Sequence, residues 1–270
     1  MMNMKIVAIV QARVNSTRLP GKVLLPLLSK SLLTRMVERV KRSKLLHQVI
    51  VATSTASDDD PIERECIQNG FSFFRGDLLD LLDRHYRAAC ESDADIVLKI
   101  PSDCPLIDPS IIDQVILFYL ENAHRYDYVS NLHPATFPDG NDVELMTFPA
   151  LEKCWLEATR PMEREHTTPY IWEQTDKFRI GNVSWQTGLD YSMSHRWTID
   201  YREDYELIKE IFEILYKVNP EFTLEDILDL LKSRPELKEI NRHYVGVNWY
   251  RNHLNELTTI SAEQTRQLIE

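Results

Sequence analysis

Nothing in this 270-residue chain approaches the ~18 consecutive apolar residues of a membrane span. Its one N-terminal apolar run, about five residues ending at Val10, is too short for a signal peptide. The four cysteines, Cys66, Cys90, Cys104 and Cys154, are scattered without C-x-x-C or paired metal spacing. That excludes a disulfide framework and a cysteine-based metal centre, and predicts buried or incidental thiols in a reducing, cytoplasmic compartment. Positive charge is also short: 31 Lys and Arg stand against 42 Asp and Glu, a formal charge of −11. A duplex-binding surface needs the opposite balance, so no nucleic-acid partner is expected. The phosphate-binding patterns G-x-x-x-x-G-K-[ST] and G-x-G-x-x-G are missing, as is the G-x-S-x-G nucleophile elbow, and no internal repeat occurs.

What is present is the make-up of a soluble globular protein, 43% hydrophobic and 27% charged, long enough for one large domain with a small appendage. Apolar runs and amphipathic stretches alternate. Strands are predicted at Ile6–Val10, Gln48–Ser54, Phe71–Phe74 and Asp95–Ile100. Helices follow at Leu32–Val40 (capped by Ser31), Pro61–Asn69 (stopped by Gly70) and Leu78–Glu91. This β-α-β-α-β-α-β order predicts a mostly parallel sheet in a three-layer αβα sandwich. A helix over 109–122, a strand over 127–130, a closing strand over 196–200 and helices from Tyr205 and Thr223 complete it. The proline-rich stretch 131–178 reads as an insertion, a sugar-side wall and dimer contact, within a domain spanning 1–240. Residues 241–270 read as a C-terminal arm. Asp58, Asp59 and Asp60 suit the positive end of a helix dipole, with cation binding the alternative.

The first strand runs into KIVAIVQARVNSTRLPGK, where Arg13, Arg18 and Lys22 cluster in an otherwise acidic chain among turn-formers. Ligands of open α/β sheets lie beyond the carboxyl ends of the strands, so this loop suits a polyphosphate. Ala12 to Lys22 resembles the signature A-R-x-x-S-T-R-L-P-G-K of the sugar-activating cytidylyltransferases. Over the whole chain the resemblance is to their spore-coat polysaccharide, SpsF-like branch. That resemblance implies a nucleotide-diphospho-sugar transferase-like, Rossmann-like fold. It also implies Mg²⁺-dependent transfer of a cytidylyl group from CTP to a small sugar acid of nonulosonate or octulosonate type, releasing pyrophosphate.

It assigns Ala12, Arg13, Asn15, Ser16, Thr17, Arg18 and Lys22 to the triphosphate, with backbone N–H groups of 15–17 helping and Lys22 stabilising the transition state. Asp103, after the fourth strand, and Asp200, in T-I-D-x-x-x-D-Y, would hold Mg²⁺. Arg84 matches the arginine of a G-T-[DE]-R motif whose Gly and Thr are absent here. An i,i+4 pair with Asp80 is its other reading. Thr53 and Ser54 are expected near base or ribose. In P-D-G-N-D-V-E and E-R-E-H-T-T-P-Y, the side chains of Asp139, Asp142, Glu144, Arg164, Glu165 and His166 suit sugar hydroxyls, with His166 a candidate general base. Two alternatives stay open. One is a glycosyltransferase of the same fold with a D-x-D metal pair at Asp58–Asp60 or Asp93–Asp95. The other is a non-catalytic nucleotide-binding module, possessing the loop without turnover. A homodimer is the expected assembly.

Overall fold

The computed structural model describes residues 4–268. Chain order begins with β1 (Ile6–Gln11), then a small hairpin of β2 (Pro26–Leu27) and β3 (Lys30–Ser31), then α1 (Leu32–Val40). Next come β4 (Gln48–Ser54), α2 (Asp60–Asn69), β5 (Ser72–Gly76), α3 (Leu81–Glu91), β6 (Ile96–Pro101) and α4 (Pro109–Glu121). The second half holds β7 (Tyr128–Ser130), β8 (Glu144–Thr147), α5 (Phe148–Glu157), α6 (Pro161–His166), α7 (Pro169–Trp172), β9 (Ile180–Asn182), α8 (Arg202–Val218) and α9 (Leu224–Ser233). The main sheet runs β5-β4-β1-β6-β8-β7-β9, with β8 antiparallel to both neighbours and the other pairs parallel.

β1 is central and apolar on both faces because each face has its own core. Ile6, Ala8 and Val10 pack in the cluster with α1, α4, α8 and α9, while Val7 and Ile9 pack in the one with α3 and α5. The Ser31 cap and the Gly70 stop stand as the sequence predicts, whereas α3 begins at Leu81 rather than Leu78, because Asp80 caps it by accepting the Asp83 N–H at 2.8 Å. The Ser31 hydroxyl accepts the Thr34 N–H at 3.0 Å, and Gly70 closes α2 at φ 65°. Asp108 joins two helices, accepting Ser110 N–H at the start of α4 and Leu224 N–H, at 2.7 Å, at the start of α9.

Two sequence expectations change. The stretch 131–178 contains β8, which stands inside the sheet between β6 and β7, so its strand belongs to the sheet itself. Its Glu144 pairs across strands with Lys99 of β6, and that is why so polar a strand can be buried. The segment 196–200 forms no ladder. Its sole bridge is Asp139 to Arg196: the Trp197 and Ile199 N–H groups donate to the Asp139 and Asp103 carbonyls, which belong to loops, and those of Asp200 and Tyr201 to the Asp204 carboxylate, each at 3.0 Å. From Asn241 the chain continues in short 3₁₀ turns packed onto the sheet's carboxyl edge. Asn241 donates to the Arg196 carbonyl at 3.0 Å, and Trp249 and Tyr250 pack in the second core.

Candidate active site

Two cavities meet at the carboxyl ends of β1 and β6. The first, about 340 Å³, is lined by Ala12, Arg13, Ser16, Thr17, Arg18, Lys22 and Arg84, among others. The second, about 490 Å³, is bounded by Lys99, Asp139, Asp142, Glu144, Arg196 and Asp200, with walls from the C-terminal segment. Gln11, Arg18, Pro101, Asp103, His166 and Trp249 border both, so Asp103 stands at the junction.

The loop after β1 is held from outside. Buried Asp59 accepts the Val14 N–H at 2.7 Å and the Ser54 hydroxyl, while Asp58 accepts the Asn15 amide at 2.8 Å. The acids before α2 thus anchor the cationic loop, a role the helix-dipole reading did not contain. Asn15 is turned toward Asp58, and the Ser16 N–H is bound to the Val14 carbonyl at 3.0 Å, so that N–H group is committed. Thr53 and Ser54 are wholly buried at the end of β4 and line neither cavity.

Lys22, nearly buried, places its Nζ 2.7 Å from Asp103 Oδ2, 3.0 Å from Asp200 Oδ1 and 2.6 Å from the Ile199 carbonyl. Burial works against its charge, yet Asp103 and Asp200 more than offset this and hold its pKa above the lysine range. Arg18 Nη2 reaches the same Asp200 oxygen at 2.6 Å. Burial would raise the Asp200 carboxyl, but Lys22, Arg18 and Arg196 together hold it well below the usual carboxylate range. Behind it Arg196, buried, forks onto Asp204 at 2.9 and 3.0 Å, reaches Asp200 at 3.3 Å and Asp139 at 3.4 Å, and donates to the Val247 carbonyl. Asp204 is accordingly both the cap of α8 and the partner of Arg196.

Arg84 lines the first cavity from α3. It is 3% exposed, and its Nε and Nη1 find no acceptor among the described residues. Burial, then the nearby Arg13, push its pKa down. It makes no side-chain pair with Asp80, which accepts Arg164 instead at 2.9 and 3.1 Å. Arg164 therefore ties α6 to the start of α3 and lines neither cavity, unlike its expected place among the sugar contacts. Glu165 lies in the first cavity, 4.0 Å from Arg13.

In the second cavity Glu144 is held by Lys99 and accepts the Tyr128 hydroxyl at 2.7 Å. Burial would raise its pKa, but Lys99 and these bonds bring it below the usual range. Burial raises the Asp139 carboxyl well above its ordinary value and pushes Asp142 up to about 6. His166 stacks on Trp249 at 3.9 Å, and burial, then Lys99, push it down to about 3. That direction runs against the general-base expectation, and the ring borders both cavities. The turn carrying Asp139 and Asp142 requires its glycine. Gly140 sits at φ +108°, and a Cβ there would lie 2.7 Å from the Trp197 carbonyl carbon. Gly140→Ala is expected to lose about 1–3 kcal/mol or more in urea unfolding, and an unchanged midpoint would contradict the strain.

Neither D-x-D candidate is available as a metal pair. Asp58 accepts the Asn15 amide and Asp60 accepts the Arg75 guanidinium at 2.8 Å, while Asp95 accepts the Lys5 N–H at 2.7 Å, at the amino end of β6 and away from the cavities. Among the described residues no three His, Cys, Asp or Glu side chains converge as a metal centre, and no helix is long and apolar enough to cross a membrane. The four cysteines are free thiols, three of them buried.

Sequence reasoning missed Arg196, Lys99 and Trp249. The spacing Arg196-x₃-Asp200-x₃-Asp204 was the available signal for the first.

The family described as Cytidylyltransferase matches residues 7–233. The chain is 30% identical to the spore coat polysaccharide biosynthesis protein SpsF of Bacillus subtilis, over 86% of this chain and 95% of that one. It is 36% identical to the 3-deoxy-manno-octulosonate cytidylyltransferase of Chloroherpeton thalassium, over 44% of this chain and 48% of that one. A cytidylyltransferase structure from Leptospira borgpetersenii superposes with a TM-score of 0.82 at 38% identity, covering 87% of this chain and 97% of the other.

Proposed function

The chain belongs to the cytidylyltransferase family, in its SpsF-like branch, and from that premise we propose that it transfers a cytidylyl group from CTP to a hydroxyl of a small sugar acid, for surface polysaccharide synthesis. The observation that carries this reading is the junction at Asp103, where a cation-lined cavity sized for a nucleotide opens into a larger polar one. The nonulosonate or octulosonate type of acceptor rests on the octulosonate relative.

In this reading the acceptor hydroxyl attacks the α-phosphorus in line. The new P–O bond forms as the α–β bridge breaks, and pyrophosphate carries away the charge. Arg13, Arg18 and Lys22 surround the phosphates, and Arg84 gains the anion that its buried guanidinium lacks. Fixed cations in a site sheltered from water supply most of the rate in such transfers, through positioning and charge stabilisation. Asp142, with its carboxyl near 6, is the group in the acceptor cavity best matched to receive the hydroxyl proton near neutrality.

The donor set fits Mg²⁺. Asp103 and Asp200 already converge on one ammonium, and a hard cation takes one or two carboxylates with waters and phosphate oxygens. When bound there, Mg²⁺ would neutralise phosphate charge at the reacting group.

The test is a thermal-shift screen of CTP, UTP, GTP, ATP, UDP-sugars and CMP-sugars, each with and without Mg²⁺. A ligand at 100 times its Kd adds about 2.7 kcal/mol. Stabilisation by CTP with Mg²⁺ above every other nucleotide is the expected result. A response confined to UDP-sugars would overturn the reading, as would none at all.

A further inference from the structure

The Lys22 ammonium sits where two carboxylates converge, and its partners are complete. Three N–H donors meet three acceptors: Asp103 Oδ2, Asp200 Oδ1 and the Ile199 carbonyl, all within 3.0 Å. We propose that Lys22 holds the place of the divalent cation, so that lysine and metal are alternative occupants and the metal enters together with the nucleotide. This rests on Asp103 and Asp200 being the metal ligands of the reading above.

Three observations carry it. First, the oxygens that would ligate Mg²⁺ at roughly 2.0–2.1 Å are those that bind Nζ, so an ion between them would crowd the ammonium at less than van der Waals separation. Second, Asp200 already faces three cations, with Arg18 on the same oxygen at 2.6 Å and Arg196 at 3.3 Å on the other. A dication arriving alone would meet this positive surround with only two carboxylates to offset it. Third, no third acid converges there among the described residues, so the protein alone offers the ion too few ligands.

A triphosphate changes each of these conditions at once. It supplies oxygen ligands, and its negative charge gives Lys22 and Arg18 a new partner in the cavity they already line. The consequence is strong coupling: metal without nucleotide binds weakly, and Lys22 is the reason.

The experiment measures Mn²⁺ binding by electron paramagnetic resonance without any nucleotide, on the wild type and on Lys22→Met, Lys22→Gln and Lys22→Arg. Circular dichroism checks the fold of each. The neutral variants are expected to bind Mn²⁺ at least tenfold more tightly than wild type, and Lys22→Arg, which keeps the charge, to resemble wild type. Equal affinity in wild type and neutral variants would overturn the proposal while leaving the metal site itself standing. If no variant binds Mn²⁺ even with CTP added, the metal reading of Asp103 and Asp200 fails, and the proposal with it. Using two neutral replacements keeps the test decisive if one of them does not fold.

Discussion

Replacing Arg196 with methionine is expected to cost about 3–5 kcal/mol of stability, the range for removing one partner of a buried ion pair. Arg196 and Asp204 are 2% and 0% exposed, and the guanidinium joins three carboxylates and a backbone carbonyl from three separate parts of the chain. Without it, Asp204 retains the Asp200, Tyr201 and Asn241 donors but loses its only buried countercharge among the described residues. Burial also raises Asp139, and Arg196 is what opposes that rise most strongly. Guanidinium unfolding of wild type and variant measures the loss. Arg196→Lys should fall between them, because an ammonium keeps the charge but cannot fork onto both Asp204 oxygens. A loss below 1 kcal/mol for the methionine variant would mean that the network adds little to the stability of this fold.

The elements that the sequence makes legible are those whose burial is simple. β1, β4 and β6 are buried on both faces and read as apolar runs, while α1, α2 and α9 announce themselves through Ser31, Gly70 and Thr223. β8 was hidden because two of its four residues are polar, and Glu144 is tolerable there through Lys99, on a neighbouring strand 45 residues away in sequence, and the Tyr128 hydroxyl. The cationic loop was legible as a candidate site because cations gathered in a turn after a buried strand repel one another unless an anion faces them. Arg196 and Asp59 were not. The Arg196-x₃-Asp200-x₃-Asp204 spacing was a local signal, but burial was not readable from it, since the Asp139 and Val247 partners of Arg196 and the Val14 partner of Asp59 lie 57, 51 and 45 positions away. The same limit explains Arg164 and Ser54, which look like ligand contacts in sequence but have structural partners in Asp80 and Asp59.

Arg84 is where stability and binding are expected to oppose one another. Gly76 leaves room for its stem, since a Cβ there would lie 2.9 Å from Arg84 Cγ, so the fold is shaped around this arginine. Yet two of its nitrogens are buried without a partner among the described residues, and an unmet buried donor costs about 1–3 kcal/mol. Arg84→Met keeps the length and removes the unmet groups, so the free protein should become more stable by an amount of that order. CTP affinity should fall in the same variant by roughly 10–100-fold, since hydrogen bonds to a charged group are worth about 1.5–3 kcal/mol. Thermal midpoints without nucleotide and calorimetric CTP titration read the two effects separately. A variant that is less stable but binds CTP unchanged would make Arg84 a packing residue. One that gains stability while losing affinity would show that this guanidinium is held in the cavity, at a cost to the fold, for an anion that the protein itself does not provide.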